Sequence, residues 1–361
     1  MHPRRRALVG YERSIQEFDL TTSHNQTNII DVHCHLYPME YIKLLEKRNV
    51  IPRVINKNGL REFLIFPEED GPNGVGGRPM GAEYYDLDQK IEFMDQTGIR
   101  TSIVSLGNPW LDPFPDLTGD LAARIINQKM SEYEEATQGR ITAMGVLPTS
   151  NVENAIQILH QIANTNGLHG VVSGPRIAGL LFDDPRLDPF WNELNRLELP
   201  LFVHPENGVA LDILEGYRHT LPVGIGFPFE TTVAISRLIF GGILQKFPSL
   251  RILVAHGGGC LPYLAGRLDA SWNSDAEVKS KLKEPPSQYI QKLYLDALVY
   301  AGPALQAAYR LVGAQHLLFG TDQPFSVSDP EKNIQMLQTE LQNKNDLDAV
   351  MQANAATLFG L

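Results

Sequence analysis

The sequence predicts an α/β fold, a (β/α)8 TIM barrel with long insertions in its βα loops. Three observations carry that expectation. Eight short β-branched runs alternate with longer amphipathic stretches after residue 28, no internal break in composition divides the chain, and polar residues recur at the ends of the runs. A length of 361 residues suits one large α/β domain over 29–361, preceded by a polar leader at 1–28.

The expected strands lie at 29–33, 101–106, 141–147, 168–173, 200–204, 251–255, 293–297 and 316–320. Leu201-Phe202-Val203 and Ile252-Leu253-Val254-Ala255 are apolar at consecutive positions, which marks parallel strands covered on both faces. Helical periodicity fills the intervals at 86–97, 118–137, 151–165, 186–197, 229–246, 303–312 and 331–343. Two Gly/Pro-rich stretches interrupt the alternation, 49–85 after the first strand and helix and 205–228 after the fifth strand. Loops at these places overhang the mouth of a barrel, so both are expected to be lids or substrate walls.

Hydrophobic residues make up 43% of the chain, enough for a sizeable core. The net charge of −11, from 31 basic and 42 acidic residues without a basic stripe, argues against a nucleic-acid partner. No apolar run approaches the ~20 residues that span a bilayer, so no membrane partner is expected. Two cysteines, Cys34 and Cys260, provide no disulfide framework and suggest a reducing, cytoplasmic setting. The leader starts Met1-His2-Pro3-Arg4-Arg5-Arg6 but then carries Glu12, Glu17 and Asp19 and lacks an apolar core, so it reads as neither a signal nor a transit peptide.

The chemistry begins at Ile29-Ile30-Asp31-Val32-His33-Cys34-His35. Strand geometry turns both imidazoles to one face and Cys34 to the other, as a packed thiol. Ten histidines would produce about 0.3 such pairs by chance, so the pair means little alone. Other strand ends repeat the pattern, with His204 closing the fifth, His256 the sixth and Asp322 lying just beyond the eighth. In a barrel these ends converge on one face, and imidazoles with a carboxylate suit a divalent transition metal.

This order and spacing resemble the amidohydrolase superfamily over nearly everything after residue 28. Gly226-Phe227-Pro228-Phe229-Glu230-Thr231-Thr232, Lys246-Phe247-Pro248, His256-Gly257-Gly258-Gly259 with Arg267 beyond it, and Gly320-Thr321-Asp322-Gln323-Pro324-Phe325 look like its non-hydrolytic branch, the aminocarboxymuconate-semialdehyde decarboxylase-like enzymes. Tyr41-Ile42-Lys43-Leu44-Leu45-Glu46-Lys47-Arg48 and Gly107-Asn108-Pro109-Trp110 look like the fungal isoorotate (uracil-5-carboxylate) decarboxylases of that branch. Gln323 departs from relatives that carry His or Tyr. The fourth-strand region lacks the lysine of binuclear members, so one metal is implied.

The resemblance implies a single divalent metal, zinc, on His33, His35, His204 and Asp322. His256 is the implied acid/base, with metal contact as the lesser alternative, and Asp322 is the favoured proton donor to a rigid ring. Arg267 is implied to reach a neighbouring subunit's site in a homodimer, while Arg78 and Arg61 are same-chain candidates for gripping a small carboxylate substrate. Trp110, Phe227 and Phe325 are candidate aromatic walls, and Glu230 is read as a helix cap. The expected activity is metal-dependent, non-oxidative decarboxylation of a cyclic or unsaturated acid of the isoorotate, aminocarboxymuconate-semialdehyde or hydroxybenzoate type. The alternative is hydrolysis of a lactone or amide by the same ligands. A non-enzymatic barrel is disfavoured, since every expected ligand is present.

Overall fold

All eight expected runs form strands of one parallel sheet. They are β1 Ile29–His35, β2 Ile99–Ser105, β3 Ile141–Val146, β4 Leu168–Ser173, β5 Leu201–Val203, β6 Ile252–Val254, β7 Tyr294–Asp296 and β8 Leu317–Leu318. Their order in the sheet follows the chain, with register pairs such as Cys34 with Val104 and Val203 with Val254. The coordinates are a computed structural model that describes residues 28–361 apart from Asn73 and Glu215, so the leader expectation falls, save for its last residue, outside the described residues.

Backbone hydrogen bonds from the chain just after β8 close the barrel onto β1. Val32 N–H donates to the Phe319 carbonyl (3.0 Å), Thr321 and Asp322 N–H both donate to the His33 carbonyl (3.1 and 2.7 Å), and His35 N–H donates to Gln323 (2.8 Å). The approach is close enough that a Cβ on Gly320 would lie 2.6 Å from His33 Cβ, which only glycine avoids. Buried Asp31 braces the seam by accepting Thr321 Oγ1–H at 2.7 Å and the Thr321 N–H at 3.2 Å.

Between the strands run α1 Met39–Glu46, α2 Leu87–Thr97, α3 Leu117–Ala136, α4 Val152–Ala163, α5 Asp188–Leu197, α6 Phe227–Phe240, α7 Leu261–Ser274 and α8 Gly302–Val312, and α9 Pro330–Glu340 follows the last strand. Side-chain caps start several of them: Asp86 accepts from Asp88 and Gln89 N–H, and Asn151 from Asn154 N–H. α4 buries Ala155, Ile158, Leu159 and Ile162, the stripe expected of a helix lying on a sheet.

Two expectations need correction. The helix predicted over 229–246 breaks at Gly241-Gly242, where Gly242 takes φ 74, and resumes only as Ile243–Lys246. The helical run Pro222–Phe240, 19 residues with mean hydropathy 1.3, is long and apolar enough to cross a membrane by those two measures, although the sequence reading found no such run. Its Ala234, Ile235, Leu238 and Ile239 are buried in the protein core. The first insertion, for which the sequence reading assigned no elements, carries an antiparallel sheet of Arg53–Lys57, Leu60–Leu64 and Arg78–Pro79.

Replacing Thr321 by Val removes a hydroxyl donor from a buried carboxylate at the seam. Thr321→Val is expected to lower stability by about 1–3 kcal/mol, the cost of leaving such a group unsatisfied. The shift of the denaturant midpoint at unchanged slope measures it, and an unchanged midpoint would mean the bond contributes nothing.

Candidate metal centre and substrate cavity

Three of the four histidines at the barrel mouth are held by their Nδ1. His33 Nδ1 donates to Asp296 Oδ2 at 2.6 Å, His35 Nδ1 pairs with Ser105 Oγ at 3.1 Å, and His204 Nδ1 donates to the Pro205 carbonyl at 2.7 Å. This leaves three Nε2 atoms buried without a hydrogen-bond partner, and Asp322 Oδ1 and His256 Nδ1 are in the same condition. Buried polar atoms are rarely left unpaired, so a cluster of them argues for a ligand they jointly hold. Donor atoms of His33, His204, His256 and Asp322 lie within 4.8 Å of one another. His35 Nε2 stands beside this group, 3.3 Å from Asp322 Oδ1. With Nδ1 engaged, the Nε2 atoms of His33, His35 and His204 are left for another partner, and this donor set fits a divalent metal.

Asp322 occupies its place because the backbone there turns left-handed, with φ 62. Its Oδ1 is 3.5 Å from His33 Nε2, and its Oδ2 is 3.8 Å from His256 Nε2. Burial would raise the Asp322 carboxyl, but His256, His33 and His35 around it hold it well below the usual range. Burial likewise opposes the charged form of His33, yet Asp296 and Asp322 carry it up to about 10. Burial pushes His35 down to about 4 and His204 well below the ordinary imidazole value.

A cavity of about 530 Å³ opens onto His204, His256 and Asp322. His33 and His35 are fully buried behind them. Of the candidate binding residues, Arg78, Phe227 and Phe325 line the cavity. The Arg78 guanidinium lies 5.1 Å from the Phe325 ring centre, with Nε buried and unpartnered. Trp110, Arg61 and Arg267 are not among the lining residues. Trp110 packs edge-on against His204 from behind, with ring centres 5.6 Å apart, and its Nε1–H donates to Leu106. Arg61 is paired with Glu46 at 3.0 Å, and Arg267 is exposed on α7.

Several site groups escaped the sequence reading. Asp296, which orients His33 and also accepts the His256 and Gly257 N–H groups at 2.9 Å, ends β7 just as His204 follows β5. The same strand-end rule would have found it. Asn108 and Glu206, each three residues past a strand end, line the cavity as well. Burial, with Asp112 and Glu230 nearby, pushes the Glu206 carboxyl up to about 8. Glu230 does not cap its own helix, because helical structure already starts at Pro222. Its Oε2 instead accepts the N–H groups of Glu206, Asn207 and Gly208 at 2.7, 3.1 and 2.9 Å, anchoring the loop that follows His204. Gln323 turns inward to accept a hydrogen bond from fully buried Lys90 at 2.6 Å.

A family model described as amidohydrolase matches residues 30–361. The chain is 29% identical over 305 residues to the 2-amino-3-carboxymuconate-6-semialdehyde decarboxylase of Dictyostelium discoideum, covering 83% of this chain and 82% of that one. It is 30% identical over 298 residues to the gamma-resorcylate decarboxylase of Rhizobium radiobacter, covering 76% and 89%. The crystal structure of the Metarhizium anisopliae IDCase in apo form is similar to it, with a TM-score of 0.86 at 31% identity over 92% of this chain and 97% of that one. A match running from the first barrel strand to the last residue, on a barrel with these strand-end donors, shows that the chain belongs to the amidohydrolase family.

Proposed function

We propose that the chain is a metal-dependent, non-oxidative decarboxylase of a cyclic or unsaturated carboxylic acid. The observation that carries this is the meeting, at one end of a cavity, of partnerless buried metal-ligating atoms with an arginine whose Nε is unpaired. His33, His204 and Asp322 would hold the metal together with His35, which stands beside them, and His256, whose donor atom falls in the same cluster, would be a further ligand or the acid/base. A divalent cation there, which we take to be zinc, supplies Lewis-acid polarisation of the substrate's carboxylate and neighbouring oxygen.

The protein's own groups do the rest. Arg78 receives the substrate's negative charge, its guanidinium plane steadied over Phe325, and Phe227 lines the same cavity beside the ring. When the C–C bond breaks, CO2 leaves and the electron pair stays on the ring carbon, which must take a proton. Asp322 is the donor we favour for a rigid isoorotate- or hydroxybenzoate-type ring; because its neighbours keep the carboxyl ionised, it must first take up the proton that it hands to the ring carbon, from His256 or from solvent in the cavity. Its Oδ2 faces His256 Nε2, so the two share the task of bringing a proton to the cavity face. Hydrolysis of a lactone or amide is not favoured, since the relatives named above are decarboxylases. We further propose that the enzyme is a cytoplasmic homodimer in which Arg267, exposed on α7, meets the partner.

Metal-loaded protein incubated with isoorotate, 2,6-dihydroxybenzoate, 6-methylsalicylate and the aminocarboxymuconate semialdehyde is expected to release CO2 from at least one of them. Turnover of a lactone panel with no CO2 from any acid would overturn the reading. His204→Ala is expected to lose the metal, and His256→Ala to retain much of it while losing turnover; metal analysis after gel filtration separates the two. Equal loss in both variants would make His256 a full ligand. Arg78→Met should lower kcat/KM by about 10- to 150-fold through loss of a charge-assisted contact, with little change in metal content. A KM and kcat equal to the parent's would remove Arg78 from the site.

A further inference from the structure

Arg78 owes its place to its neighbours in the first insertion. It lies on the short strand Arg78–Pro79, which pairs antiparallel with Leu60–Leu64 so that Phe63 stands opposite Arg78 and Glu62 opposite Pro79. Backbone bonds continue the pairing on either side: the Met80 N–H donates to the Arg61 carbonyl at 2.9 Å and the Val75 N–H to the Glu68 carbonyl at 3.0 Å. The two runs lie so close that a Cβ on Gly77 would meet the Phe63 carbonyl. The position of the guanidinium therefore follows that of the run 60–69.

That run is held by buried Glu69. Its Oε2 accepts the Ile65 and Phe66 N–H groups at 2.8 and 3.1 Å, closing the turn Pro67–Glu69, and its Oε1 accepts from His219 Nε2 at 2.5 Å. Burial would raise the Glu69 carboxyl, but His219 and the two backbone N–H groups keep it below its ordinary value. His219 belongs to the second insertion, and its ring also packs edge-on against Phe66 with centres 4.6 Å apart. Among the described residues this is the only hydrogen bond between the two insertions. The second insertion is in turn fastened to the barrel at its root, where Glu230 accepts the N–H groups of 206–208 and Asn108 Nδ2–H donates to the Glu206 carbonyl at 2.8 Å. A tie thus runs from the loop after β5, through His219 and Glu69, to the strand opposite Arg78.

The geometry points to Glu69 and His219 as positioning residues for Arg78, a clasp between the two insertions that sets where the guanidinium stands in the cavity. The inference rests on the reading of Arg78 as the group that receives the substrate's negative charge. A guanidinium grips a carboxylate best when its fork is in register with both oxygens, so a wall left free to shift costs affinity even though neither member of the clasp touches the carboxylate.

A double-mutant cycle on benzoate binding to the metal-loaded protein, followed by calorimetry, tests this without requiring turnover. His219→Phe keeps a ring against Phe66 and removes the N–H donor. It is expected to weaken benzoate about 3- to 30-fold and Arg78→Met about 10- to 150-fold, while the double variant should match Arg78→Met to within about twofold, since nothing is left to position. His219→Gln, whose amide can still donate to Glu69, should recover most of the parent's affinity, which separates the donor from the ring. His219→Ala replaces the phenylalanine variant if that one does not fold. Parent-like binding by His219→Phe would overturn the inference, and so would equal weakening in both backgrounds, which would make His219 act on the ligand by itself. Parent-like binding by Arg78→Met would remove Arg78 from the site and the inference with it. CO2 release from the acid panel is read separately: coupling without CO2 from any acid supports the clasp and removes the reaction, and CO2 release without coupling does the reverse.

Discussion

The arrangement depends most on the contact between the chain after β8 and β1. Two successive N–H groups, of Thr321 and Asp322, converge on the single carbonyl of His33, and the left-handed turn at Asp322 swings its carboxylate in among the imidazoles. Without that closure the first-strand histidines and the aspartate would belong to opposite edges of an open sheet, almost 290 residues apart in the chain. Gly320 permits the approach, and Asp31 with Thr321 secures it from inside the barrel. One seam therefore serves both the fold and the metal centre, which places the demand for close packing and the demand for converging ligands on the same few residues.

Electrostatics at this site is organised by the atoms behind the ligands. Three of the four imidazoles are held at Nδ1, each by a different partner: a carboxylate for His33, a hydroxyl for His35 and a backbone carbonyl for His204. The three rings accordingly sit in different fields. His33 is drawn toward its protonated form by Asp296, while His35 and His204 are kept from theirs by burial. Glu230 performs a related service for the backbone, gathering three N–H groups of the loop that follows His204 and leaving that loop little freedom.

Most of the architecture and much of the centre could be read from the chain because both rest on simple periodicity. Consecutive apolar residues marked the covered strands, and a histidine closing such a run, or an aspartate just past one, marked the catalytic face. Asp296 obeys the same rule, and only attention to the seventh run was lacking. Glu230 was misread because the helix start at Pro222 lies inside a stretch whose glycines suggest a loop, and a carboxylate anchoring a neighbouring loop has no local signature. Arg61 and Arg78 were indistinguishable as loop arginines. The structure separates them through Glu46, which pairs with one, and Phe325, over which the other lies. The strands of the first insertion are short and Gly/Pro-flanked, and their pairing is set by tertiary contacts that no short window of sequence contains.

The full burial of His33 and His35 governs traffic as well as affinity. The cavity meets the centre at His204, His256 and Asp322, with His33 and His35 buried behind them, so a cation and a substrate that enter through it would use the same opening. Whichever sits nearer the mouth then obstructs the other's exit. A substrate or product lodged in the cavity would slow escape of the ion, and a chelator would have to compete for the entrance before it could compete for the metal.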